Sequence, residues 1–188
     1  MMSNRISAPL VVFTWFVAMI AGGLPHAASA VPQVTDELRS SFEFLSENGN
    51  SNCSQRFLKS IPSMPPQARL RGSCCSRMDL HRYGEQVEGL KRYADIEVIP
   101  PDPYDIPAPL AWRLIGFYGL ALSPAQQSAY DYAVAHSSEG GPCCCRCWRW
   151  HVFGGLAKHL IRERGFSGEE IARIWNLSDG CGGASHLH

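Results

Sequence analysis

The stretch SPAQQSAYDYAVAHSSEGGPCCCRCWRWHVFGGLAKHLIRERGFSGEEIARIW, residues 123–175, decides the fold class. Ser123-Pro124 pairs a side-chain cap with a proline at the first helical position, where a missing N–H costs nothing, and opens a helix that runs to about His136. Gly140-Gly141-Pro142 stops it. A second helix, from about Cys147 to Arg164, carries Trp148, Val152, Leu156 and Leu160 on one face as a core stripe. Arg162 and Arg164 favour the dipole at its end, and Gly165 is placed as its C-terminal stop. Ser167 and Glu170 form a capping box for a third helix through Trp175. Since no segment of the chain shows sustained apolar alternation with turn chemistry, the expected fold is mainly α.

Upstream of this stretch the signals weaken. Leu110 to Leu120 is apolar nearly all round, which predicts a buried helix. Residues 96–109 hold five prolines, including Pro100-Pro101, and predict an extended connector between two packed units. On the other side of it, Val34, Leu38, Phe42 and Leu45 share a face of a helix opening at Thr35 and ending near Gly49. Ser54 caps a short turn with Phe57 and Leu58, and Leu80, Tyr83, Val87 and Leu90 stripe a helix over 79–93. The expected organisation is a leader at 1–30, a looser N-terminal unit at 31–95, the connector at 96–109, a helical cysteine domain at 110–183 and a tail at 184–188 that contains His186 and His188.

Residues 1–30 have the layout of a secretory signal: Arg5, an apolar run from Leu10 to Leu24, then Ala28-Ser29-Ala30 as an A-x-A cleavage site. The run of about 15 residues is short of the roughly 20 that span a bilayer. Cleavage after Ala30 leaves all eight Cys in an exported chain that is soluble and not inserted in the membrane. The formal charge is zero, with 17 basic and 17 acidic residues, so no overall field draws the protein to nucleic acid.

Cys143-Cys144-Cys145-Arg146-Cys147 packs four thiols into five positions, and Cys53, Cys74, Cys75 and Cys181 lie elsewhere. An exported chain permits a disulfide framework, in which the four clustered thiols pair with the four outside. Crowding argues for a local purpose, because bridges sharing one turn close redundant loops. In an extended stretch Cys143, Cys145 and Cys147 fall on one side, so a modest bend converges three thiolates on a soft metal such as Cu(I) or Zn. Cys181, between Asp179-Gly180 and Gly182-Gly183, offers a fourth. His151 follows Cys147 by one helical turn and is a further candidate ligand. Cys147, at a helix N-terminus beside Arg146 and Arg149, is expected to be the most readily ionised thiol. The pattern C-C-x5-H-x-x-G occurs twice, at Cys74, Cys75 and His81 and again at Cys144, Cys145 and His151, which marks Cys74, Cys75 and His81 as a candidate second half-site.

Pro142 to Cys147, together with the segments GLAKHLI and GFSGEEIARIW, resembles the PCYCGC motif and helical tail of a family of exported bacterial CYCXC (seleno)proteins. The resemblance covers about Ser123 to Gly183. Cys143, Cys145 and Cys147 fall on the motif's thiol positions, while Cys144 stands where the family has Tyr and Arg146 where it has Gly. It implies redox or soft-metal chemistry at these thiols. Together the readings favour an exported protein that binds copper or another thiophilic metal for sequestration or transfer, with the ion, and another exported metal or redox protein, as its partners. The alternatives are a thiol-disulfide redox protein, in which Cys147 attacks and Cys143 or Cys145 resolves, and a disulfide-stapled interaction module. The chain has no nucleotide loop, H-E-x-x-H or G-x-S-x-G.

Overall fold

In a computed structural model, which describes residues 34–181, the expected helix starts carry real caps. Thr35 Oγ1 accepts from Leu38 N at the head of α1 (Asp36–Glu47), and Ser54 from Phe57 N at the head of α2 (Gln55–Ser60). Asp79 caps α3 (Leu80–Leu90). Full capping boxes open α5 (Pro124–His136) at Ser123 and α7 (Gly168–Ser178) at Ser167. Between these two lies α6 (Trp148–Arg164), which starts at Cys147 and ends on Gly165 in the left-handed conformation. The fold is mainly helical, as expected, with seven α-helices among the described residues. None of them is long and apolar enough to cross a membrane. The leader, its cleavage site and the residues after Cys181 lie outside the described residues.

The long helix α6 is the axis of the core. Its stripe of Trp148, Val152, Leu156 and Leu160 is fully buried, and Phe153 and Ile161 widen it. α4 (Ala108–Phe117) lies across it at Gly155, where a Cβ would meet Leu114 O at 1.9 Å, so only glycine admits so close a crossing. α7 closes the other side through Trp175, whose Nε1 donates to Phe153 O at 3.0 Å and whose ring meets Tyr130 of α5 edge-on. A smaller cluster of Leu45, Tyr83 and Tyr104 joins α1 to α3. α4 departs from the all-round burial expected of it: Ala108, Ala111 and Leu114 face α6, whereas Trp112 is 49% exposed.

The proline-rich connector is a second correction. Residues 96–109 do not space two units, because Ile96 and Ile99 before the prolines and Tyr104 and Ile106 among them are buried in the core that holds α6 or in the Tyr83 cluster. Within the segment, β2 (Asp105–Pro107) pairs antiparallel with β1 (Arg69–Arg71), Leu70 opposite Ile106. This small sheet was not expected. Its strands are three residues each, too short to show a period, and it pins the proline-rich segment to β1, while the described residues 34–181 fall in one compact unit. The prolines fall in turns, at the end of β2 and in the first turn of α4, where a lost N–H is tolerated, while the apolar residues before and among them supply the burial.

Candidate metal centre

Four pieces of backbone deliver the eight cysteines to one place. Cys53 precedes α2, where Ser51 Oγ donates to Arg71 O at 2.9 Å and ties the loop to β1. Cys74 and Cys75 leave the end of β1. Cys143 to Cys147 form the bent link between α5 and α6, held by Ser137, whose Oγ accepts from Gly141 N at 2.8 Å. Cys181 follows α7, in a turn held from below: Cys74 N donates to Gly180 O at 3.3 Å, Ser76 N to Cys181 O at 3.1 Å, and Gln86 Nε2 to Asp179 O at 2.6 Å.

The sulfurs form a continuous network of free thiols. Cys53 and Cys75 lie 3.0 Å apart, and Cys53 and Cys145 3.4 Å. Cys75 is 3.8 Å from Cys144 and 3.9 Å from Cys145. Cys143 is 3.8 Å from Cys147 and 3.3 Å from Cys181, which is in turn 2.9 Å from Cys144. Cys74 joins through Cys75 at 3.7 Å and through Cys143 and Cys147, each within 4.8 Å. Several trios, among them Cys74, Cys143, Cys147 and Cys75, Cys144, Cys181, are close enough to hold a metal ion. Metal–sulfur bonds of about 2.3 Å in a tetrahedron set sulfur–sulfur edges at about 3.8 Å, and several of these distances already match.

The expected trio of Cys143, Cys145 and Cys147 is brought together, each pair within 4.8 Å, and Cys181 joins at Cys143. His151 is not. Its ring packs edge-on against Tyr118 at 4.8 Å, and it belongs to no group of converging donors among the described residues. A one-turn spacing puts it a turn beyond Cys147 on α6, but there its ring is engaged by Tyr118, just past the end of α4. The second half-site splits in the same way. Cys74 and Cys75 join the cluster, whereas His81 pairs with Glu85 at 3.2 Å on the exposed side of α3.

The ionisation order also differs from the sequence expectation. Cys74 is held well below the ordinary thiol range by contacts from the Cys143, Cys147 and Cys181 thiols, with the Arg149 charge in support. Cys147 benefits from its contact with Cys143, but Cys74 beside it and burial outweigh that, and its thiol is pushed up to about 12. Of the two arginines expected to assist it, Arg146 lies over the Trp150 ring, 5.3 Å from its centroid. Arg149 turns inward, fully buried, and donates to Pro103 O and Gly72 O. Cys147 is 1% exposed, so its sulfur is shielded from a disulfide on another protein.

The sequence reading missed Cys53 and Cys144 as ligand candidates and Arg149 as a buried cation. A signal for the cysteines lies in the four-against-four division, which suits converging free thiols as well as the alternative of disulfide bridges. Arg149 had no signal, since an arginine in a helix is ordinarily on its surface. Compared with known protein families, curated proteins and solved structures, the chain matches none.

Proposed function

We propose that this is an exported thiolate protein that binds a soft metal, Cu(I) foremost and Zn as the alternative ion, for sequestration or transfer. One observation carries the reading: all eight cysteines, from four separate segments, converge as free thiols, with no carboxylate in the converging groups among the described residues. An all-sulfur donor set selects thiophilic ions over Mg or Ca. The leader-like residues 1–30 support export, and the likeness of residues 142–147 to the PCYCGC motif supports kinship with those exported proteins.

The test is a titration of the reduced full-length chain with Cu(I) against a competing Cu(I) chelator. Cys143→Ser, Cys145→Ser and Cys147→Ser should each weaken binding by about tenfold or more, since each removes a soft ligand that water replaces poorly. Unchanged affinity in all three variants sinks the reading. Export is checked separately: the exported protein should begin at Val31, and a product retaining Met1 to Ala30 refutes it.

A redox reading keeps one specific observation. Cys53 and the exposed Cys75, 3.0 Å apart, are placed to exchange with a partner disulfide: the two thiols release two protons and two electrons, and the partner's sulfurs leave as two thiols. Free-thiol counts on protein taken from the exported compartment separate the readings. Six thiols indicate this exchange, and eight favour the metal.

A further inference from the structure

The eight thiols are not equally accessible. Cys143, Cys147 and Cys181 are at most 1% exposed, and Cys74, half-buried, contacts Cys143 and Cys147. Cys75 and Cys144 are exposed, and Cys53 and Cys145 are half-buried beside Cys75. Resting on the metal reading above, we propose that the cluster is two sites in series: a closed inner site of Cys74, Cys143, Cys147 and Cys181, and an open outer site of Cys53, Cys75, Cys144 and Cys145. The outer site exchanges metal with the surroundings, and the inner site retains it.

Each quartet has its own connections. In the inner one, Cys143 is 3.8 Å from Cys147 and 3.3 Å from Cys181. In the outer one, Cys75 reaches Cys53, Cys144 and Cys145 at 3.0, 3.8 and 3.9 Å. Four thiolates apiece is the donor count of a closed tetrahedral site. The shortest contacts that join the quartets are Cys144 to Cys181 at 2.9 Å and Cys74 to Cys75 at 3.7 Å, and Cys145 also lies within 4.8 Å of both Cys143 and Cys147. They provide a ligand-by-ligand path, along which an ion keeps sulfur in its coordination shell while it moves inward.

A second observation marks the inner site as built for negative charge. Four thiolates around a divalent ion leave two excess negative charges away from water, which need a buried cation. Arg149 is that cation. Its terminal nitrogens are satisfied by Pro103 O and Gly72 O, but its buried Nε has no hydrogen-bond partner. The turn bearing Cys181 lies against the guanidinium: a Cβ on Gly180 would fall 2.2 Å from Arg149 Cζ and 2.6 Å from Nε, so only glycine lets the turn close there. An open cavity of about 720 Å³, lined in part by Phe42 and Met78, is reached by Cys75 of the outer site and, where the two quartets meet, by the half-buried Cys74 of the inner one. That space admits a metal delivered as a small thiol complex.

The test uses Cd(II) as the probe on the reduced full-length chain, with stoichiometry from native mass spectrometry and release into EDTA followed by the thiolate-to-metal absorption band. The chain should hold two ions, four thiolates each. Release should be biphasic, the slow phase about tenfold or more slower because it waits on local opening. Cys75→Ser combined with Cys144→Ser, both exposed and harmless to the core, should abolish the fast phase and leave one slow ion. A single ion, a single phase in the unsubstituted chain, or loss of both ions in the double variant overturns the two-site proposal and leaves the metal reading standing. Failure of the unsubstituted chain to bind either Cd(II) or Cu(I) overturns the metal reading itself.

Discussion

Arg149 shows how one residue can serve both fold and site. Its guanidinium lies 4.5 Å from the centroid of Trp148 and 5.6 Å from that of Tyr104, and it bridges the carbonyls of Pro103 and Gly72 across the two halves of the chain. Arg149→Met should cost about 3 kcal/mol in urea unfolding, because two buried carbonyls lose charged donors while relief of the buried charge offsets only part of that. A loss below about 0.5 kcal/mol would show that it holds neither half, since that is the scale of an ordinary surface substitution. Two histidines supply a pH-dependent prediction. Burial lowers the pKa of His151, against Tyr118, and of His159, stacked on Phe117 at 4.4 Å. Below the usual histidine value of about 6.5 the unfolded chain therefore binds more protons than the folded one, and stability falls as pH falls through that range. Thermal melts should show the decline, and His151→Gln with His159→Gln should flatten it. A decline of equal slope in the double variant places its origin elsewhere.

At the scale of elements, legibility followed locality. The helix starts were written in adjacent residues: Ser123-Pro124, Ser167 with Glu170, and Thr35 and Asp79 each cap the helix that the sequence assigns to them. Ser123→Ala and Ser167→Ala should each lower stability by about 1 kcal/mol, since each leaves a first-turn N–H without its acceptor. The two caps sit on different helices, so the double variant should lose close to the sum in denaturant melts, and marked non-additivity would mean that α5 and α7 do not act as separate elements. What was not legible depended on distant partners. Cys75 meets Cys144 across 69 residues and Cys74 meets Gly180 across 106, and no local period announces such meetings. The doubled C-C-x5-H-x-x-G pattern picks out cysteines that converge and histidines that do not. The thiols were drawn together by the turns that carry them, while His81 and His151 stayed on helix faces committed to Glu85 and Tyr118.

Over the whole molecule the cluster and the core join the same segments. Cys53, Cys74 and Cys75 come from before the proline-rich stretch and the other five thiols from after it, and Leu70, Ile99 and Ile106 belong to the core that holds α6. Splitting the chain at residue 109 therefore removes three ligands and the whole β1–β2 sheet from the C-terminal piece in one cut. Residues 110–183 expressed alone should show helical dichroism without a cooperative melt, because the Trp148 end of α6 loses Phe57 and the packing of the N-terminal half. The intact chain should melt in one transition, and saturating Cd(II) at about 100 times its dissociation constant should add about 2.7 kcal/mol per bound ion to that transition as a whole. A fragment that melts cooperatively, at the temperature of the intact protein, would restore the boundary at 96–109. It would also make the contacts of Cys53, Cys74 and Cys75 with the other five an association between two units, in which case metal should raise only one of two melting steps.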